Sequence, residues 1–368
     1  MSGNGRALVA EGLSRGKGEE LHLAGVSFTL ERGHFYTILG PTLSGKTSLL
    51  RVLAGLDPVE SGSLTWDGTE LLEAPVWTRR VSMVYQQFIN YPHLNVYENI
   101  AFPLRRLRQR GDEIDRKVRE TAEKVGLTPF LDRMCGELSG GQQQRTALAR
   151  SLVKGSDLLL LDEPLVNLDY KLREQLRDEF VHLFSDKGDS VVVYASTEPL
   201  EALMLGGTVL VLSKGRLLQT GPVHEVFAYP ASEEVARILN DPPMNLLDGV
   251  VVGEQIILAG GIRKPRVGHL AELREGRYRF GIRAGDIGVG GVGEPVRIEL
   301  AEISGSVTFL HVSFDGTPLV IQQDGVHTHR LHDTISADLD VSAIYAFELD
   351  GRLAAAPRDH NLHRRVTP

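Results

Sequence analysis

Residues Phe35–Ser48 read FYTILGPTLSGKTS, and this stretch decides the fold of the first part of the chain. The first five residues are almost uniformly apolar, which is typical of a strand buried on both faces. A glycine-containing loop follows, and a helical pattern begins directly after it. The loop has the spacing G-x-x-x-x-G-K-[ST] in the strand–loop–helix context that this motif requires. The sequence therefore predicts an α/β unit with an anion-binding turn.

The spacing within this loop suits the phosphates of a nucleotide. Glycines let backbone N–H groups wrap a β-phosphate, and the helix N-terminus adds the positive end of its dipole. Lys46 is placed to reach the β- and γ-phosphates, and the Thr47 hydroxyl is placed to ligate Mg²⁺. We therefore predict that ATP and Mg²⁺ bind here. The candidate phosphate-binding residues are Gly40, Pro41, Thr42, Leu43, Ser44, Gly45, Lys46, Thr47 and Ser48.

A second apolar run, within Leu158–Pro164, ends in the acids Asp162 and Glu163. Sheets of the α/β class bind ligands at the carboxyl ends of their strands. Asp162 is therefore a candidate for holding Mg²⁺, directly or through water. Glu163 is a candidate for orienting or deprotonating an attacking water. A solvated turn is the competing interpretation, and the upstream loop disfavours it.

Between these two elements lies the motif LSGGQ, at Leu138–Gln142, and a helical pattern continues from it. A serine and two glycines at a helix start make a second anion-facing nest of backbone N–H groups. With this motif the chain resembles the ATPase subunits of ABC transporters. The resemblance implies that Ser139, Gly140, Gly141 and Gln142 cover the γ-phosphate of a nucleotide held by a second, facing ATPase subunit.

Further residues match this family in order. Gln86 matches the glutamine that senses Mg²⁺ and the attacking water, so the resemblance implies a catalytic and metal-side role for it. Phe88–Ile100 resembles the surface that receives the coupling helix of a membrane permease, and its aromatic and apolar side chains suit an interface. Ordinary local packing is the alternative for that segment. Asn167–Asp169 resembles the loop that communicates between facing subunits.

The pattern of the chain changes after residue 240. Before that point, apolar runs alternate with helix-like stretches, which is typical of a parallel α/β sheet. The prolines of Asp241–Pro243 mark a boundary, and short β-rich segments with Gly and Asp turns follow. We therefore predict one domain at residues 1–240, with a helical subdomain at about 88–155, and a small barrel or sandwich at residues 241–368.

Two segments of the second part, Phe280–Arg283 and Ser304–Val312, resemble the oligonucleotide-binding-fold (OB-like) barrel of maltose-importer ATPases. The resemblance covers nearly the whole chain. It implies an α/β P-loop NTPase domain with a helical subdomain, followed by a small all-β barrel that mediates dimer contacts and regulation. It also implies a sugar, polyol or glycerol-type solute. The formal charge of −8 is spread over both parts, which disfavours binding to nucleic acid.

Three positions depart from the family at the site that the chain builds with its own loop. Thr197 stands where the family has a histidine after the strand Val191–Ala195, and threonine is shorter and cannot become cationic. Leu43 stands where this subgroup usually has glycine. Ser14–Glu19 lacks the aromatic residue that stacks on adenine, and Lys17 lies nearest to that position. All three departures weaken one site, whereas the LSGGQ motif is intact.

This distribution suggests an asymmetric heterodimer in which a different ATPase chain holds the competent site. A symmetric homodimer in which Thr197 suffices is one alternative, and a nucleotide-binding scaffold without turnover is another. The candidate catalytic residues are Glu163, Gln86 and Thr197, and the candidate metal ligands are Thr47, Gln86 and Asp162.

The composition limits where such a protein works. A single cysteine fits a reducing compartment, and no run approaches the ~18–20 apolar residues of a membrane span. A membrane role must therefore come through partners. The resemblance implies two transmembrane permease subunits, a second ATPase subunit and, indirectly, an extracytoplasmic solute-binding protein. It places the chain peripherally on the cytoplasmic face of the inner membrane.

Overall fold

The structure, a computed structural model, describes residues 6–17, 20–166, 173–174, 179–181, 184 and 188–357. The chain divides into two units, Met1–Val223 and His224–Pro368. Among the described residues, no helix is long and apolar enough to cross a membrane.

The first unit combines two sheets with five described helices. Its strands and helices in chain order are β1 (Arg6–Lys17), β2 (Glu20–Glu31), β3 (Phe35–Leu39), α1 (Lys46–Ala54), β4 (Ser61–Trp66), β5 (Thr69–Glu70), β6 (Val81–Val84), α2 (Val96–Arg106), α3 (Gly111–Lys124), α4 (Gly140–Leu152), β7 (Leu158–Asp162), β8 (Val191–Ser196), α5 (Pro199–Leu205), β9 (Thr208–Ser213) and β10 (Arg216–Pro222).

The larger sheet of this unit carries the candidate site. Its strand order is β10-β9-β3-β8-β7-β6, and every neighbouring pair except β9–β10 is parallel. All residues of β3, β7 and β8 are buried, as their continuous apolar runs predict. The register pairs Leu39 with Ser196 and Asp162 with Ala195. The loops that follow these three strands therefore leave the same edge of the sheet.

The remaining strands and helices flank this sheet. The smaller sheet is antiparallel, with the order β2-β1-β4-β5. Helices α2, α3 and α4 contact one another and contribute Ile100, Val118 and Leu148 to a shared core with β7 and β8. Cys135 is buried beside α2, where the Asn99 amide nitrogen lies 3.2 Å from its Sγ. Burial raises the pKa of this thiol.

The second unit is built mainly from antiparallel strands. Its elements are α6 (Val223–Ala228), α7 (Glu233–Ile238), β11 (Asn245–Val252), β12 (Gln255–Leu258), β13 (Arg263–Pro265), β14 (Gly276–Ile282), β15 (Ile287–Ser304), β16 (Val307–Phe314), β17 (Thr317–Asp324), β18 (Thr334–Leu339), β19 (Tyr345–Phe347) and β20 (Leu353–Ala355). They form two sheets, β13-β12-β11-β14-β19-β20 and β17-β16-β15-β18. Both sheets contribute to one core, which includes Phe280, Ile298 and Leu310. An α/β part followed by a sheet-rich part is therefore confirmed.

Two short helices precede the first strand of the second unit and pack within it. Ala236 on α7 lies in a core cluster with Tyr345 and Phe347, and the Glu233 carboxylate binds Arg279 at 3.0 and 3.1 Å. The division of the chain thus falls at Val223/His224, at the start of the first of these helices, whereas the proline pattern predicted it after residue 240. Prolines mark where a helix must end, but packing decides to which unit the helix belongs.

Candidate active site

The loop between β3 and α1 is built around two glycines that no other residue could replace without a shift. A Cβ at Gly40 would lie 2.2 Å from the carbonyl oxygen of Leu212 and 2.6 Å from Ser44 Oγ. Gly45 has a left-handed backbone with φ of 104°, and a Cβ there would lie 2.6 Å from the carbonyl oxygen of His22. The backbone therefore makes a tight turn into the N-terminus of α1, which is the geometry that binds phosphate.

Lys46 closes this turn from the inside. Its Nζ donates to the carbonyl oxygens of Gly40 at 2.8 Å and Pro41 at 3.1 Å, and the side chain is only 4% exposed. The same Nζ lies 3.1 Å from Glu163 Oε1. The ammonium group is thus held inside the loop and is paired with the acid that follows β7.

Thr47 and Asp162 make the second contact between α1 and β7. Thr47 Oγ1 donates to Asp162 Oδ1 at 3.0 Å. Burial raises the pKa of Asp162 and the negative charge of Glu163 adds to that rise, whereas the Thr47 hydrogen bond lowers it. A hydroxyl and a carboxylate oxygen at one point are the hard oxygen ligands that Mg²⁺ prefers.

Ser44 supplies a further oxygen in this loop. Its Oγ is buried and has no hydrogen-bond partner among the described residues. Burial of an unsatisfied hydroxyl is unfavourable, so a polar ligand at this loop would relieve that cost. The residues present therefore fit a magnesium nucleotide.

Gln86 and Glu163 complete the group at this edge of the sheet. Gln86 lies two residues beyond β6, and its Nε2 is 3.3 Å from Glu163 Oε2. Glu163 has a left-handed backbone with φ of 45°, and its N–H donates to the carbonyl oxygen of Ala195 at 3.1 Å. The structure thus brings the lysine and threonine of α1, the two acids at the end of β7 and the glutamine after β6 together.

The structure also places Leu43 and Thr197, two positions with described side chains that the resemblance marks as departures. Leu43 lies at the exposed tip of the loop, 95% exposed and with a left-handed φ of 66°. Glycine adopts that backbone without strain, so Leu43 holds a conformation in which glycine would be less strained. Thr197 is half-buried and immediately follows β8. The N–H of Gly40 donates to the carbonyl oxygen of the preceding residue, Ser196, at 3.3 Å.

Ser139–Gln142 begins helix α4 with a reciprocal cap. The Ser139 hydroxyl accepts from the Gln142 N–H at 3.4 Å, and the Ser139 N–H donates to Gln142 Oε1 at 3.0 Å. Ser139 and Gly140 are exposed, so this helix N-terminus is open to solvent. Farther along α4, the buried Gln144 amide donates to the carbonyl oxygen of Pro164, which ties the helix to the loop after the acid pair.

The segment Phe88–Ile100 follows β6, includes the first residues of α2 and lies against α4. The Tyr91 ring packs against the Phe102 ring in a tilted pair, with centroids 4.5 Å apart, and the Arg150 guanidinium lies over the Tyr91 ring at 5.0 Å. Ile89 is 59% exposed. A cavity of about 260 Å³ opens beside this segment, lined by Met83, Tyr85, Gln87, Ile89, Tyr91 and Arg150.

Some residues predicted from the sequence are not described by the structure, and one buried residue that it shows was not predicted. Asn167–Asp169 and the side chain of Lys17 lie outside the described residues. Conversely, sequence reasoning missed Glu201, a carboxyl that is 4% exposed and hydrogen-bonded to Tyr194 and Ser196. An acid within the apolar run PLEALML of α5 was the available signal.

Comparison with known proteins assigns the class. The model of the ABC transporter family matches residues 23–166, and similar proteins extend the match over most of the chain. This chain therefore belongs to the ATP-binding subunits of ABC transporters and is an ATPase coupled to transport, as the motifs predicted.

Three relatives illustrate the likeness. The alpha-glucoside transport ATP-binding protein AglK of Rhizobium meliloti (strain 1021) is 32% identical over 89% of this chain and 93% of its own length. The sn-glycerol-3-phosphate import ATP-binding protein UgpC of Brucella abortus (strain 2308) is 32% identical over 90% and 93%. The trehalose/maltose import ATP-binding protein MalK of Thermococcus litoralis is 39% identical over 67% of this chain and 68% of its own length.

Proposed function

We propose that this chain binds and hydrolyses ATP to energise the import of a sugar, polyol or glycerol-type solute. It acts peripherally at the cytoplasmic face of the inner membrane, docked on two permease subunits, and an extracytoplasmic binding protein delivers the solute to them. The observation that carries the proposal is the convergence of Lys46, Thr47, Asp162, Glu163 and Gln86 at one sheet edge. The alpha-glucoside and glycerol-3-phosphate importers among its relatives support the solute class.

The mechanism follows from what these side chains can do. Lys46 is held by two loop carbonyls, so its ammonium group is positioned to bind the β- and γ-phosphates. Glu163 is placed to accept a proton from the attacking water, and Gln86 beside it orients that water. Thr47 and Asp162 would hold Mg²⁺, which neutralises phosphate charge when bound.

A second ATPase subunit completes the nucleotide site in this proposal. The exposed cap at Ser139–Gly140 suits contact with a nucleotide on a facing chain. Thr197 and Leu43 weaken the chain's own site, so a different ATPase chain is the favoured partner. The symmetric homodimer and the scaffold without turnover are the competing arrangements.

Two further features of the structure support the role of a transporter subunit. The exposed Ile89 and the cavity beside Tyr91 fit a permease helix docked at Phe88–Ile100. The two sheets of the second unit share a single core, which is compatible with an OB-like barrel that regulates or dimerises the subunit. The net charge of −8 argues against nucleic acid as its ligand.

The test compares the purified chain alone with the chain assembled with its companion ATPase and permeases. Glu163→Gln should bind ATP but lose most hydrolysis at the chain's own site, and Glu120→Gln on the exposed face of α3 is the matched control. ATP binding by the wild-type chain without hydrolysis in any assembly would leave only the scaffold.

The asymmetric arrangement has its own readout. Hydrolysis by the chain alone should be slow compared with the assembled transporter, and Thr197→His should raise it, because histidine adds a donor that can become cationic. Equal rates for the chain alone and for the assembly would favour the homodimer and contradict asymmetry.

A further inference from the structure

Strand β8 ends in a buried polar cluster that the proposed mechanism does not use. Glu201 Oε2 accepts from the Tyr194 hydroxyl at 3.0 Å and from the Ser196 hydroxyl at 2.5 Å. Tyr194, Ser196 and Glu201 are all buried. Leaving this buried carboxyl without hydrogen-bond partners would be unfavourable. The two hydrogen bonds therefore fix the three side chains relative to one another.

The Ser196 hydroxyl has a second role in the same cluster. It accepts from the N–H of Glu198 at 2.9 Å, a side chain-to-backbone bond across two residues that closes the turn containing Thr197. Because the hydroxyl donates to Glu201, its lone pairs face Glu198. The carboxyl of α5 thereby sets the rotamer that holds this turn.

The backbone of Ser196 extends the connection to the phosphate loop. Its carbonyl oxygen accepts from the N–H of Gly40 at 3.3 Å, the first hydrogen bond beyond the end of β3. Glu198 is also anchored on its other side, where its carboxylate pairs with Arg173. One residue, Ser196, thus connects the turn at Thr197 with the start of the nucleotide loop.

We propose that Glu201, acting through Ser196, is a positioning residue that holds Thr197 and the phosphate loop in the arrangement needed for hydrolysis. This inference rests on the proposed function, since it assumes that Thr197 faces the γ-phosphate. The carboxyl itself does not touch the nucleotide. Its effect should therefore appear in turnover more than in ATP affinity, because the loop amides and Lys46 that bind the phosphates are kept.

The cluster supplies its own matched control. Ser196→Ala removes the bridge from Glu201 to the Thr197 turn. Tyr194→Phe removes a hydrogen bond to the same carboxyl oxygen but leaves that bridge in place. A merely structural role for the carboxyl would make both variants lose stability and activity together.

The experiment measures kcat, KM for ATP and amide hydrogen exchange in the full chain, in the assembly that hydrolyses ATP. Ser196→Ala should lower kcat about tenfold while KM changes by less than about twofold. Exchange should accelerate in peptides covering Gly40 and Glu198. Tyr194→Phe should keep both kinetic constants within about twofold of wild type, with unchanged exchange at Glu198.

Glu201→Leu should reproduce the exchange pattern of Ser196→Ala. If the Glu201→Leu protein does not fold, the Ser196→Ala variant alone decides the test. The inference is overturned if Ser196→Ala leaves kcat and exchange unchanged, or if Tyr194→Phe matches it in both. If the wild-type chain hydrolyses no ATP in any assembly, the proposed function fails. The exchange measurement still decides whether the bridge positions the turn.

Discussion

At the scale of single residues, the candidate site combines Lys46, Thr47 and Asp162 at the sheet edge with a buried carboxyl on α5, Glu201. Lys46, Thr47 and Asp162 belong to motifs whose spacing already implies a parallel sheet, so their convergence could be expected. Glu201 could not be predicted in this way. Its partners Tyr194 and Ser196 lie on β8, and the apolar pattern around α5 does not reveal which side chain a buried acid will meet.

The buried Glu201 carboxyl has a consequence for stability. Burial raises its pKa above the ordinary 4.5 and repulsion from Glu198 adds to the rise, while hydrogen bonds from Ser196 and Tyr194 and the charge of Arg173 oppose it. The folded state then binds this proton more tightly than the unfolded state does. The contribution of Glu201 to stability is therefore greatest at low pH and falls as the pH rises through the raised pKa.

Glu201→Gln should expose this dependence, because glutamine keeps an acceptor oxygen and does not titrate. The unfolding free energy of the variant relative to wild type should rise with pH above about 4.5, by at most about 1.4 kcal/mol per pH unit. Urea unfolding of both proteins from mildly acidic to neutral pH measures it. A difference that stays constant with pH would contradict the prediction.

At the scale of elements, α4 connects the two surfaces that we propose meet partner subunits. The cap at Ser139 forms its N-terminus, and Arg150 near its other end donates to the carbonyl oxygen of Ile89 and lies 3.3 Å from Asn99 Oδ1. The Asn90 amide also donates to the carbonyl oxygen of Gln143 at 2.8 Å. The motif predicted where α4 begins, whereas Arg150 meets a carbonyl 61 residues away, which local patterns do not encode.

Arg150→Lys should weaken the attachment of this segment to α4. Lysine keeps a charge but lacks the planar set of donors that reaches two acceptors at once, so about 1–2 kcal/mol of stability should be lost. Reconstituted vesicles should show solute uptake reduced several-fold more than ATP binding, since the nucleotide residues are untouched.

The control for this experiment is Arg119→Lys, which alters an exposed pair with Asp115 on α3. It should leave uptake and stability near the wild-type values, because exposed pairs of this kind contribute little. Equal losses in the two variants would refute the role of Arg150.

At the scale of the whole molecule, the alternation of apolar runs and helical patterns predicted the order of an α/β part and a sheet-rich part. The division at Val223/His224 could not be predicted from the same pattern. It depends on which core receives Ala236, and that core is completed by Tyr345 and Phe347, more than a hundred residues farther along the chain. Composition alone does not contain this pairing.

The location of the phosphate loop in Met1–Val223 leads to a calorimetric prediction. Magnesium ATP should stabilise this unit and raise its unfolding temperature. At a concentration about 100 times Kd, its free energy of unfolding should increase by about 2.7 kcal/mol. The nucleotide should leave the transition of His224–Pro368 in place. Lys46→Ala should abolish the shift, and an equal shift of both transitions would contradict the assignment of nucleotide binding to the first unit.

Cys135 gives the chain a practical property. It is the sole cysteine, it is buried, and its raised pKa keeps the thiol protonated at neutral pH. Maleimide reagents react with the thiolate of an accessible cysteine. The buried, protonated thiol of the native protein should therefore react little with them. A single cysteine introduced at the exposed tip of the phosphate loop could carry a fluorophore without prior removal of the native thiol. Nucleotide-driven motion could then be followed by its emission in an otherwise unaltered chain.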